Sequence, residues 1–249
     1  MRIAFLTTDD PLYLPAFFER VLAERAGDTA LVGTVPPLYK DQTRRQALSR
    51  YYRTFGLRDT VVLASRTALA KARRRSVASA CRHHGVRHTF IPNVNAPEFL
   101  DELRSLATDV VVSVSCPQIF KSPLIELPAK GCLNVHGALL PQYRGVLPSF
   151  WMLANGERRA GVSVYFVNEQ IDAGDLCAQR AFDVLPHESL HEFLLRSKAI
   201  AAELVLQALA DIERGTVERR RLDLSQGSYY SWPNGADVER FRAAGRRVW

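Results

Sequence analysis

The sequence predicts an α/β fold: a doubly wound, mostly parallel sheet of about seven strands, with a basic helical insertion after the second strand. Three observations carry that expectation. Short apolar, β-branched runs alternate with helix-like segments through most of the 249 residues, the pattern of strand–helix–strand units. Several runs, such as residues 109–115 (DVVVSVS), are apolar at successive positions, as strands covered on both faces are. Polar and turn-forming residues gather just past the ends of those runs, where open parallel sheets take their ligands.

Residues 2–8 (RIAFLTT) read as the first strand, and residues 12–26 as the first helix after the turn Asp9-Asp10-Pro11. No G-x-G-x-x-G or G-K-[ST] follows that strand, which argues against dinucleotide and P-loop chemistry. Residues 30–35 form the second strand. Residues 38–82 read as two helical pieces, one ending with Tyr51, Tyr52, Phe55 and Leu57 and the other running over 61–82; this is longer than an ordinary connection in an α/β unit. Strands follow at 87–92, 109–115, 131–137, 160–167 and 176–184, the last two antiparallel. Helices fill 97–107, 122–127, 145–154 and 189–214, the last opened by a Ser189/Glu192 capping box. The tail, 216–249, carries Ser228-Tyr229-Tyr230-Ser231-Trp232-Pro233 and a short helix over 236–244. It is too short for an independent domain, so residues 1–215 are expected to form the catalytic unit. The aromatics of the tail are expected to pack back on the body, and the tail is also a candidate homodimer contact.

Composition narrows the function classes. A hydrophobic content of 47% supports a real core and excludes wholesale disorder. The net charge of +7 is concentrated: residues 40–88 hold 13 basic residues against Asp41 and Asp59, which leaves the rest of the chain net acidic. A basic segment of this kind is either a solvated helical face or a surface for an anionic partner, such as a nucleotide-linked substrate, RNA or lipid headgroups. No leader pattern and no membrane-length apolar run is evident, and the four cysteines are scattered without C-x-x-C pairing. The expectation is a cytoplasmic protein with reduced thiols and no metal.

The chemistry is concentrated in 131–145, GCLNVHGALLPQYRG, and in 170–175, QIDAGD. Asn134 and His136 are two apart, so a strand end would present an amide and an imidazole on one face. Asp172, on a later loop, could join them. A carboxylate beside an imidazole stabilises its charged form, and an amide N–H can donate to a developing oxyanion. The motif places no serine or cysteine as a nucleophile. It therefore suggests direct transfer of an acyl-like group through a tetrahedral intermediate. Taken singly, each residue has a plain structural reading: a core histidine, a strand-end amide, a turn aspartate.

In combination and order they resemble a known signature. Asn134-Val135-His136-Gly137-Ala138-Leu139-Leu140-Pro141 with Tyr143-Arg144-Gly145, then Gly161-Val162-Ser163-Val164 and Ile171-Asp172-Ala173-Gly174-Asp175, resemble the formyltransferases that use 10-formyltetrahydrofolate. The resemblance is strong over 87–215. It implies that Asn134, His136 and Asp172 are catalytic, and that the folate pterin lies against Gln118, Ile119 and Phe120 and against Asn168, Glu169, Gln170 and Ile171. There are departures. Ala138 stands where many members have serine, and the first turn lacks the Gly-rich form of the enzyme that formylates glycinamide ribonucleotide. The absence of a C-terminal barrel disfavours a tRNA substrate, and the absence of an N-terminal regulatory domain disfavours hydrolysis of the folate. The expectation is therefore formyl transfer to a primary amine on a small, anionic acceptor, such as a nucleotide-linked amino sugar. The alternatives are a methionyl-tRNA formyltransferase without its usual C-terminal domain, or a non-catalytic folate- or anion-binding protein.

Overall fold

The computed structural model describes residues 1–36 and 42–249; residues 37–41, where the expected insertion begins, lie outside the described residues. In chain order the elements are β1 (Ile3–Thr8), α1 (Leu14–Arg25), β2 (Thr29–Val35), α2 (Arg44–Ala72), α3 (Val77–His83), β3 (His88–Phe90), α4 (Pro97–Ser105), β4 (Val110–Val114), α5 (Ser122–Ile125), β5 (Cys132–His136), β6 (Arg144–Gly145), α6 (Pro148–Ala154), β7 (Arg159–Phe166), β8 (Leu176–Asp183), α7 (Leu190–Arg214), β9 (Tyr229–Tyr230) and α8 (Gly235–Ala243). Seven strands make one sheet in the order β3-β2-β1-β4-β5-β7-β8. The first five are mutually parallel, while β7 runs antiparallel to both β5 and β8. The doubly wound α/β expectation holds, as does the antiparallel pairing of the two strands before the long helix.

Alternation along the strands sorts the two faces. Ile3, Phe5, Val110, Val112, Leu133 and Val135 face the cluster under α1, α3 and α7, where Phe17, Phe18, Val77 and Leu209 are buried. Ala4, Leu6, Val111 and Cys132 face α4 and α5, with Phe99, Leu103 and Leu124. Asn134 and His136 alternate with Leu133 and Val135, so they project from the α4/α5 face. Helix starts follow local chemistry. Ser189 accepts from the Glu192 amide in the predicted capping box, and α1, α4 and α6 each carry proline in their first turn.

The basic segment departs from the two-helix reading. It has three helical pieces, because Gly56 (φ 87) breaks α2 and the stretch after Ala72 turns through Arg74 (φ 54) before Ser76 caps α3. A continuous helix over 61–82 is therefore corrected: the R-R-R-S run supplies a stop and a new cap. The tail folds back as expected. A third buried cluster joins Phe55 of α2, Phe150 of α6, Phe193 of α7 and Phe241 of α8, with Phe150 and Phe241 stacked at 5.0 Å. Two basic residues of α2 cover tail indoles: the Arg50 guanidinium lies 4.2 Å over Trp232, and that of Arg66 lies 5.0 Å over Trp249. No helix among the described residues is long and apolar enough to cross a membrane.

Phe241 is fully buried. Phe241→Ala is expected to lower the unfolding free energy by about 3–5 kcal/mol, read as a fall in the urea midpoint. A loss below about 1 kcal/mol would mean that α8 is only loosely attached.

Candidate active site

The sheet brings Asn134, His136 and Asp172 together. Asn134 lies opposite Tyr165 in the antiparallel β5–β7 register, and its Nδ2 donates to the Tyr165 hydroxyl at 2.9 Å. That hydroxyl in turn donates to Asp172 Oδ1 at 2.8 Å. The other carboxylate oxygen, Oδ2, accepts the Gly145 N–H at 2.7 Å. His136 Nε2 donates to the Tyr143 carbonyl at 2.8 Å, which requires the proton on that nitrogen because a carbonyl only accepts. His136 Nδ1 then faces Asp172 Oδ1 at 3.6 Å, with both side chains buried. Burial and the Asp172 carboxylate hold the Tyr165 phenol well above its ordinary range, so it stays protonated and can donate.

The backbone here is held in sparsely populated conformations. Tyr143 (φ 58), Gly145 (φ 96), Leu147 (φ 53) and Asp172 (φ 51) all have positive φ. Such residues persist where their surroundings over-determine them. For 143–147 the surroundings are the tail. The Tyr143 N–H donates to Ser228 Oγ (2.9 Å), that of Arg144 to the Ser228 carbonyl (3.0 Å) and that of Val146 to the Tyr230 carbonyl (2.8 Å). This makes the two-stranded β6–β9 pair. A Cβ on Gly145 would stand 2.2 Å from the Tyr230 carbonyl oxygen, so only glycine admits the tail. Gly174 is equally constrained, its Cβ position lying 1.7 Å from the Phe166 carbonyl oxygen. The turn 137–141 is clamped by Ser163, whose hydroxyl donates to the Ala138 carbonyl (2.7 Å) and accepts the Leu140 N–H (3.1 Å).

The residues that the resemblance assigns to the pterin lie on two facing loops. Ser122 Oγ donates to Glu169 Oε1 at 2.5 Å, which ties the loops together. Gln118 ties its loop to the one that follows β3, accepting the Val94 N–H and donating to the Pro92 carbonyl, each at 2.9 Å. Ile119 is 65% exposed and Ile171 48% exposed, so each loop presents an apolar side chain to an incoming ring. Phe120 differs: it is buried among the α4/α5 residues, which leaves only its backbone to face a ligand. Asn168 shapes its loop by accepting the Gln170 N–H at 3.0 Å. A cavity of about 880 Å³ lies between Asn168, Glu169 and Gln170 on one side and 221–225 on the other, but its lining does not include the trio.

All four cysteines are free, and burial pushes the Cys116 thiol, beside the site, up to about 11, which removes it as a nucleophile. Among the described residues one cluster could hold a metal ion: Glu19, His83 and His84, on α1 and at the end of α3.

Sequence reasoning missed Tyr165 and the Gly145 amide. Tyr165 had a signal, because Ser163 and Tyr165 are alternate polar-headed positions in an otherwise apolar strand facing the Asn134/His136 strand. The Gly145 contact had none, since it is a backbone group aimed by a distant tail.

The sequence model described as "Formyl transferase" matches residues 1–209. The chain belongs to that family. Among curated relatives, it is 32% identical to a methionyl-tRNA formyltransferase of Trichlorobacter lovleyi over 146 residues, 59% of this chain and 46% of the relative. It is 35% identical over 136 residues to that of Geobacter sulfurreducens, 55% of this chain and 43% of the relative. The chain spans less than half the length of these relatives. Solved structures share the fold at low identity. A glycinamide ribonucleotide transformylase of Symbiobacterium toebii superposes with a TM-score of 0.62 at 19% identity, covering 90% of this chain and 94% of that one. An N-formyltransferase of Helicobacter canadensis, in complex with folinic acid and dTDP-3-aminofucose, gives 0.61 at 15% identity over 93% and 71%.

Tyr165→Phe removes the hydroxyl that bridges Asn134 and Asp172. Formyl transfer is expected to fall by about 10- to 100-fold with the melting temperature held within a few degrees. Turnover within twofold of the parent would show that the bridge does not matter to the chemistry.

Proposed function

We propose that this protein transfers a formyl group from 10-formyltetrahydrofolate to a primary amine of a small acceptor, and that nucleotide-linked amino sugars are the class to try first. The observation that carries the reading is the closed network Asn134–Tyr165–Asp172–His136 at the carboxyl end of β5, in a chain of the formyl transferase family. The two loops fit the donor: exposed Ile119 and Ile171 offer apolar faces for a flat ring, with polar backbone around them. Bound there, the folate supplies the one-carbon unit as a formyl amide. Residues 1–215 would be the catalytic unit, with 216–249 as its brace, in a cytoplasmic enzyme.

The chain's own groups divide the work. The acceptor nitrogen bonds to the formyl carbon and must lose a proton. Asp172, facing His136 Nδ1, is placed to take it. As the carbonyl oxygen becomes negative, the second amide hydrogen of Asn134 is available to it, the first being committed to Tyr165. The Nε2 proton of His136 is committed to the Tyr143 carbonyl, so His136 contributes charge and proton exchange through Nδ1 rather than a second oxyanion hydrogen bond. Collapse of the intermediate breaks the bond to the folate nitrogen, which leaves with the proton returned from the His136–Asp172 pair.

A second reading, formylation of methionyl-tRNA, is favoured by the names of the curated relatives and by the arginines of α2. Strong tRNA binding that weakens steeply with salt would support it.

His136→Ala and Asp172→Ala are each expected to cut tetrahydrofolate release by about 10³-fold or more while the protein still folds, Asp172→Ala with a lower urea midpoint because the Tyr165 hydroxyl and the Gly145 N–H lose their buried acceptor. Near-parental turnover in either variant would remove that residue from the mechanism.

A further inference from the structure

Away from the transfer network, three side chains converge on one point. His83 is the last residue of α3 and His84 its cap, after which Gly85 (φ 67) turns the chain out of the helix. The two imidazoles are adjacent in sequence, yet both reach across to α1. His83 Nδ1 and His84 Nε2 each lie 2.9 Å from the same oxygen of Glu19, Oε2. The two rings have centroids 4.6 Å apart and are inclined at 47°, so their nitrogens meet at the carboxylate while the rings splay.

The packing of α1 on α3 does not call for this arrangement. Phe17, Phe18 and Val21 of α1 and Val77, Ala80 and Cys81 of α3 are already buried in one apolar cluster. Nor is the carboxylate balanced by a fixed cation. No lysine or arginine forms an ion pair with Glu19 among the described residues, and the neighbouring Arg20 is taken up by Glu24 at 2.6 Å and Glu203 at 2.5 Å. The charge that answers Glu19 is left to imidazole, or to something that two imidazoles and a carboxylate hold between them.

The geometry suits a divalent ion. The three candidate ligand atoms lie within 4.8 Å of one another. A tetrahedral zinc with bonds of about 2.1 Å sets its ligand atoms about 3.4 Å apart. The two nitrogen–oxygen separations of 2.9 Å need to open by only about 0.5 Å to admit it. The side chain of His83 is 71% exposed and that of Glu19 43%, while His84 is mostly covered, at 18%. The exposed pair gives an ion its way in and leaves a fourth position for water. Cys81 is buried in the core and is not among the converging atoms, so the donor set is two nitrogens and one oxygen. Such a set favours zinc and its transition-metal neighbours over magnesium or calcium, which take oxygen ligands.

We infer that Glu19, His83 and His84 form a zinc site that clamps the end of α3 onto α1. The ligands come from positions more than 60 residues apart, which is why their spacing carries no motif. The site belongs to the α1/α3 side of the sheet, whereas Asn134 and His136 project from the α4/α5 side. Its role is structural: it fastens the last helix of the basic segment just before the chain enters β3, and it does not depend on the transfer reading.

The test uses the full chain without an affinity tag, zinc chloride as the probe, and titration calorimetry. One zinc per chain is expected to bind with a Kd of about 10 μM or tighter, with magnesium and calcium giving no heat. Glu19→Gln and His84→Ala are each expected to raise the Kd about 100-fold or more. At 100-fold excess over Kd, zinc is expected to raise the Tm of the parent by about 5 °C or more, and to slow amide hydrogen exchange over residues 77–86. Both effects should vanish in the variants. Parental affinity in the variants would place the ion elsewhere, on the free thiols for example, and overturn the site. A parental Kd above about 1 mM would overturn it too, as an adventitious ion only on a surface histidine pair. His83→Ala, which removes a largely exposed side chain, serves should either of the other two unfold, with the same loss of zinc binding expected.

Discussion

The orientation of one carboxylate organises this molecule. Asp172 sits in a left-handed conformation, and its two oxygens are fixed from opposite sides by the Tyr165 hydroxyl and the Gly145 amide. The Gly145 amide points correctly only because 143–147 is held in a run of positive-φ residues by the tail strand β9. The tail is in turn held by the body: Trp151 Nε1 donates to the Ser231 carbonyl at 3.0 Å, and Trp232 Nε1 to Thr54 Oγ1 at 3.0 Å, under the stacked Arg50. Contacts from the far end of the chain and from the basic insertion thus converge on one side-chain rotamer. The role proposed for Asp172 needs that restraint, since a misplacement of an ångström costs orders of magnitude in rate.

In the proposed direct transfer, the sheet fixes the side on which the reacting groups are presented. Alternation along β5 sends Leu133 and Val135 toward α1 and α7, and Asn134 and His136 toward α4 and α5. The loops tied by Ser122 and Glu169, proposed above to hold the donor, lie on that second side. A direct transfer requires both reactants at that strand end at once.

Much of this was legible in the sequence because it is local. Buried strands announce themselves as β-branched runs, Ser189 and Glu192 announce a helix start, and Asn134, His136 and Asp172 stand out as polar residues at strand ends in a recognisable order. What was not legible is non-local or depends on backbone direction. The β6–β9 pair has only two residues in each strand and joins segments some 85 positions apart, too short for a hydropathy pattern. The proton on His136 Nε2 is fixed by a carbonyl seven residues away. Phe120, grouped with its neighbours on a loop, proved to be a core residue because the chain turns into α5 there and packs it with Phe99, Leu103 and Leu124. The break near Arg74 was hidden by a run of good helix formers, which position and capping override.

The basic charge of the insertion divides along the same line. Arg50 and Arg66 cover tail indoles, and the Arg242 guanidinium of α8 donates to Asp59 of α2 at 2.9 Å. These contacts brace the tail, and through it Asp172. The remaining arginines, such as Arg45, Arg53 and Arg73, are exposed and contribute a field without a shape. A field of that kind raises the encounter rate with any anion, nucleotide sugar or tRNA alike, and is screened within about 10 Å at moderate salt. It therefore cannot choose between acceptors. Choice requires fixed donors and acceptors near the reacting atoms. In the proposed reaction the identity of the acceptor is thus a question for groups fixed beside the Asp172 network rather than for the basic helix, however prominent the helix is in the sequence.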